Sequence, residues 1–174
     1  MLWLKNVHLL DPGQGFSGPA SLLVKDGRIA GVSKQPFSED EVLNILGAAG
    51  LEEVSQVDGE GKYLFPGLVD AHVHLREPGQ EDKEDINSGS RAAVKGGFTS
   101  VLAMANTQPV VDTRALVEFV RLQGERAGLA RVYPVAAVTK GFQGKELTEM
   151  VDLKEGGAVA FSDDGHGIQD RKST

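Results

Sequence analysis

Cysteine is absent from the 174 residues, which excludes a disulfide framework, a thiol nucleophile and every cysteine-based zinc or iron–sulfur site. A metal bound here must be held by His, Asp or Glu. Basic charge is also scarce: 18 Lys and Arg stand against 25 Asp and Glu, a net charge of −7. That balance argues against a nucleic-acid binder, which carries a basic patch or stripe. It leaves room for a small anion, since one arginine in a pocket outweighs distant surface charge screened over ~10 Å. No apolar run reaches the ~18 residues of a membrane span. The start, Met1-Leu-Trp-Leu-Lys-Asn, lacks the basic region, apolar run and cleavage site of a signal peptide. A cytoplasmic protein without membrane or nucleic-acid partners is expected. What is present is a 40% hydrophobic fraction, enough for a packed core, and 22 glycines scattered between apolar runs as turn residues.

Two rhythms divide the chain. Residues 1–62 carry short alternating segments at Leu2-Trp3-Leu4, Ser21–Lys25, Arg28–Ser33 and Glu53–Asp58, with the hairpin signal Asp26-Gly27 between two of them. They predict a small antiparallel, sandwich-like β unit. Within it, Val42, Ile45, Leu46 and Ala49 predict a short surface helix in the stretch Phe37–Glu53. Residues 63–174 alternate between strand and helix patterns, with apolar strand centres near Leu68, Val101, Val135 and Val159 spaced by the length of βα units. A weaker helix is predicted over Glu84–Gly96. A stronger one follows Asp112 or Thr113, with Leu116, Phe119, Val120, Gln123 and Ala127 as its apolar stripe and Gly128 as its stop. The α/β pattern fits a small doubly wound sheet or the first four βα units of a (β/α)8 barrel.

The segment Asp70-Ala-His-Val-His-Leu-Arg76 follows an apolar run that predicts a buried strand. Residues i and i+2 of a strand share a face, so His72 and His74 point the same way and Arg76 is next in line. Two imidazoles at a strand end suit a Zn²⁺-type ion; two structural histidines are the alternative. Asp163-Asp164 ends the fourth strand pattern, where a carboxylate could face the same pocket. Only one of two neighbours can point inward, and the alternation leaves open which. Lys140-Gly-Phe-Gln-Gly-Lys145 lacks the Gly-Lys-Ser/Thr ending of a phosphate loop and reads as a plain connection. His8 and His166 read as histidines outside the pocket.

The string His72-Val-His-Leu-Arg-Glu-Pro-Gly79, with Lys83-Glu-Asp-Ile, Ser88-Gly-Ser, Lys95-Gly-Gly-Phe-Thr, Met104-Ala-Asn-Thr-Gln-Pro109 and Phe161-Ser-Asp-Asp-Gly165, resembles the bacterial dihydroorotases of the amidohydrolase superfamily. The resemblance extends from Met1 to about Gln169. It implies the N-terminal part of a (β/α)8 barrel preceded by a small β unit. It implies one or two zinc ions on His72, His74 and Asp164, with Asp163 supportive. His74, Arg76 and Asn106 would bind substrate, Arg76 and Asn106 gripping its carboxylate. The chain departs from the family pattern at Ala105, where proline is usual. The implied reaction is the reversible hydrolysis of dihydroorotate to N-carbamoyl-L-aspartate in pyrimidine synthesis. The general acid/base and further histidine ligands of the family have no counterpart in these residues, so a catalytically incomplete N-terminal part is expected. A homo-oligomer and a carbamoyltransferase partner are further implications. Two alternatives stand beside this: an allantoinase- or hydantoinase-type enzyme, and a non-catalytic relative acting as a structural partner.

Overall fold

The computed structural model describes residues 1–168, and the chain divides into two compact units, Met1–Pro66 and Gly67–Thr174. In the first unit, β1 (Leu2–Asp11), β2 (Phe16–Lys25) and β3 (Arg28–Ser33) form an antiparallel meander. Asp26 and Gly27 turn between β2 and β3 with φ of 50° and 72°, the pair of positive values that an Asp-Gly turn accommodates. Helix α1 (Glu39–Leu46) begins at Ser38, whose hydroxyl and Glu41 form a reciprocal capping box. It ends at Gly47 in the left-handed region, short of Ala49, the last residue of the helical spacing. Val42 and Leu46 are fully buried and pack with Trp3, Leu23 and Val54.

Strands β4 (Ser55–Asp58) and β5 (Tyr63–Leu64) then pair with β1 in parallel. The unit is therefore one mixed five-stranded sheet, not the antiparallel sandwich-like unit expected, and it runs to Pro66 instead of residue 62. Alternation specifies which side chains face inward; it carries no information on the direction of a strand that returns after a crossover.

The second unit has a parallel sheet in sequential order: β6 (Leu68–Val73), β7 (Phe98–Ala103), β8 (Arg131–Ala136) and β9 (Ala160–Phe161). Helices α2 (Ile86–Lys95), α3 (Arg114–Ala127) and α4 (Met150–Gly156) connect them. Asp85 caps α2, and the backbone N–H of Ser88 holds its carboxyl below the usual aspartate range. The core gathers Ile86, Val101, Val111, Val117, Val120 and Leu153. Leu68 and Val69 are 41% and 62% exposed, so β6 is not the buried strand its apolar run predicted. Among the described residues it lies at the edge of the sheet, with β7 as its one neighbour. No helix among the described residues is long and apolar enough to cross a membrane.

Helix α3 presents Val117, Val120 and Gly124 to the core, rotated from the predicted stripe. Leu116, Phe119 and Ala127 are partly buried beside it. Gly124 explains the rotation. A Cβ there would lie 2.6 Å from Cβ of Val132, so the glycine lets α3 settle directly onto β8. A stripe drawn from apolar side chains passes over a glycine. Gly124→Val is expected to cost about 1–3 kcal/mol through overpacking, read as a lower urea midpoint. An unchanged midpoint would show that α3 does not depend on this close approach.

Candidate metal centre

The sheet's C-terminal strand ends carry the chemistry. Strand β6 positions His72, and His74 follows one residue past its end, with the two imidazole rings 5.1 Å apart. Leu75 turns inward between them and Arg76, packing so close to α2 that a Cβ on Gly89 would meet it at 2.5 Å. Arg76 adopts a left-handed φ of 63°. Among the described residues its guanidinium has no hydrogen-bond or ion-pair partner. The neighbouring Glu77 does not neutralise it, because its carboxylate accepts from the backbone N–H of Ile86 at 2.9 Å, at the start of α2.

Strand β7 delivers the second contribution. The N–H of Met104 donates to the carbonyl of Val73 at 2.9 Å, carrying the pairing beyond β7 toward Asn106. The Asn-Thr-Gln-Pro loop then lies against the Glu-Pro-Gly loop, where Gln108 N–H donates to the Pro78 carbonyl at 2.9 Å. Gly79, at φ 92°, sits so close that a Cβ would fall 1.7 Å from the Gln108 carbonyl oxygen. Only glycine fits there. Ala105, where the family usually has proline, is fully buried and leaves Asn106 at the site. The Asn106 side chain lies 2.8 Å from His74 Nδ1 and donates through Nδ2 to Asp164 Oδ2 at 2.9 Å.

Two aspartates follow β9 after Ser162, and they face opposite ways. Asp163 is 4% exposed and accepts from the backbone N–H groups of Val138 (2.7 Å) and Thr139 (2.9 Å) and from the Thr139 hydroxyl. It anchors the loop after β8 and has no part in the histidine cluster. Asp164, at φ 54°, turns toward the histidines, its Oδ1 3.2 Å from His72 Nε2. Aspartate tolerates this left-handed conformation better than most residues, and Ser162 Oγ supports it by accepting the Asp164 N–H at 3.0 Å. Thr139 is a site residue the sequence reading passed over. The Val-Thr pair after β8 reads as loop entry, and only the fold shows that its donors serve Asp163.

One donor atom each from His72, His74 and Asp164 lie within 4.8 Å of one another. Donors at ~2.0–2.2 Å from one tetrahedral zinc ion stand about 3.3–3.6 Å apart, so side-chain adjustments of about 1 Å would close the set. Two imidazoles and a carboxylate suit a borderline divalent ion. His72 is half exposed.

The other residues considered lie apart. The ring of His166 stacks on Phe142 at 5.1 Å. His8, in the first unit, contacts Ser17 Oγ at 3.2 Å. Lys140 pairs with Glu146, which raises its pKa, and belongs to a 3-10 turn, Lys140–Phe142, in the loop after β8.

Residues 61–173 match the family model described as dihydro-orotase-like. The chain belongs to the dihydroorotase-like family. Its similarity to curated dihydroorotases covers nearly its whole length. It is 45% identical to that of Sulfurihydrogenibium sp. over 98% of this chain, and 47% identical to that of Pelobacter propionicus over 96%. The chain spans 37% of the length of each of those relatives. Among solved structures it is similar to the L-hydantoinase of Arthrobacter aurescens, with a TM-score of 0.68 at 23% identity over 92% of this chain and 32% of that one. It is also similar to the D-hydantoinase of a Thermus species, with a TM-score of 0.56 at 23% identity over 89% and 30%. These structural likenesses concern the fold. The fold is α/β, and its parallel β6–β9 sheet fits the N-terminal part of a (β/α)8 barrel.

Proposed function

We propose that this chain supplies part of the metal shell and the carboxylate grip of a dihydroorotase. That enzyme interconverts dihydroorotate and N-carbamoyl-L-aspartate with zinc. The observation that carries the reading is the convergence of His72, His74 and Asp164 at the strand ends, two residues before an arginine with no partner among the described residues. The naming of the curated relatives supports the same substrate.

In hydrolysis an oxygen–carbon bond forms between water and the ring amide carbonyl, the carbon–nitrogen bond breaks, and the nitrogen takes a proton. A bound zinc ion would supply Lewis acidity to the carbonyl and to the attacking water. His72, His74 and Asp164 would hold it. Arg76 would fix the ring through its carboxylate by a bidentate contact, for which the planar guanidinium is suited. A hydantoinase-type activity draws on likeness of fold alone, and the hydantoin ring has no carboxylate for Arg76.

Arg76 provides the test. In the intact enzyme carrying this segment, Arg76→Lys keeps the charge and loses the fork. The loss of a charge-assisted bond to a desolvated carboxylate is worth about 1.5–3 kcal/mol, or roughly 10–150-fold in kcat/KM for dihydroorotate. Kinetics equal to the unmodified enzyme would remove the substrate assignment, as would faster turnover of a ring without a carboxylate.

A further inference from the structure

We propose that Asn106 is a positioning residue for the metal centre: its amide fixes the tautomer of His74 and the rotation of Asp164, so that His74 Nε2 and Asp164 Oδ1 face the ion. The inference rests on the metal reading above, and it gives Asn106 a role distinct from the substrate contact that the family resemblance implies.

The hydrogen bonds lead to this assignment in order. The Asp164 carboxylate can only accept, so the Asn106 group facing Oδ2 at 2.9 Å is its NH₂. That orientation turns the amide oxygen toward His74 Nδ1, 2.8 Å away. An amide oxygen also only accepts, so in this arrangement His74 carries its proton on Nδ1 and the lone pair lies on Nε2. On the other side, the same amide occupies Asp164 Oδ2 and leaves Oδ1, the atom 3.2 Å from His72 Nε2. One side chain thus settles which atom two separate ligands offer. Metal-binding histidines generally depend on such an outer partner for ring orientation and basicity. Here the partner is an amide shared with a second ligand. Only one Nδ2 hydrogen remains for any further acceptor.

Asn106 is itself held in place. Thr107 Oγ1 donates to the Pro109 carbonyl at 2.7 Å, and the Ala105 carbonyl accepts from the N–H groups of Thr107 (2.9 Å) and Val111 (3.1 Å). The amide therefore projects from a braced turn.

The experiment has two arms. In mildly alkaline solution, long-range ¹H–¹⁵N couplings of the metal-free intact enzyme carrying this segment report the His74 tautomer, and the Nδ1–H form is expected. Zinc titration against a competing chelator then compares that enzyme with its Asn106→Leu variant, whose fold is checked by circular dichroism. Affinity is expected to fall about 10–100-fold, the usual cost of removing an outer-shell partner, and the His74 tautomer to lose its preference. An Nε2–H tautomer in the unmodified enzyme, or unchanged zinc affinity in Asn106→Leu, would overturn the positioning role and leave the metal site standing. Failure of the intact enzyme carrying this segment to bind zinc would remove the metal reading, and this role with it.

Discussion

Replacing His72 and His74 together with alanine is expected to abolish stoichiometric zinc binding by the intact enzyme carrying this segment. Two of the three converging donors disappear, and a lone exposed carboxylate is a weak zinc ligand. The loss should exceed the roughly 10–100-fold expected for removing an outer partner. Stability gives an independent readout, because an ion that binds only the folded chain stabilises it by mass action. At a zinc concentration 100 times its Kd the gain is about 2.7 kcal/mol. That gain is read as a higher Tm. The unmodified enzyme should show this shift and the double variant should not. His72 is 55% exposed in its side chain, so its removal leaves little cavity, and the metal-free variant should unfold near the metal-free parent. A zinc-dependent shift of equal size in both proteins would contradict the assignment.

The second large effect is expected at the aspartate that does not face the histidines. Asp163→Ala would leave two backbone N–H groups and the Thr139 hydroxyl without their acceptor, at a position 4% exposed. Each buried donor left unpaired costs about 1–3 kcal/mol. Because the three share one acceptor their costs do not simply add, and a loss of about 3–5 kcal/mol is expected, large for a single substitution. Asp163→Asn keeps one acceptor oxygen and should lose less. Asp164→Ala should behave in the opposite way, with little change in the denaturation midpoint and a large loss of zinc affinity. Urea denaturation and zinc titration on the two alanine variants separate the roles. A stable Asp163→Ala variant that fails to bind zinc would exchange them.

The histidine pair shows how far local chemistry reaches. Strand alternation alone places His72 and His74 on one face, and the apolar run before them is enough to make the strand. The Asp-Gly turn, the helix stops at Gly47 and Gly128, and the βα rhythm of the second unit are likewise local properties, each set by the φ/ψ preferences or periodicity of a few adjacent residues. The His-x-His-Leu-Arg-Glu-Pro-Gly string does not explain its own Gly79: the carbonyl that demands a glycine there belongs to Gln108, on another loop.

Other features depended on segments remote in sequence. Alternation required one of Asp163 and Asp164 to point inward but could not choose between them; the donors that claim Asp163 are on Val138 and Thr139, beyond β8. The resemblance gives Asn106 only a substrate contact; the fold sets it between His74, just past β6, and Asp164, just past β9. The face of α3 followed the closeness of β8 to Gly124, not the count of apolar side chains. The direction of β4 and β5 followed a crossover that leaves no mark on their own residues. Sequence by itself therefore determined which donors exist and which local shapes they occupy. Tertiary structure decided which donor faces which, because hydrogen-bond partners and close approaches are made between elements whose separation no local preference encodes.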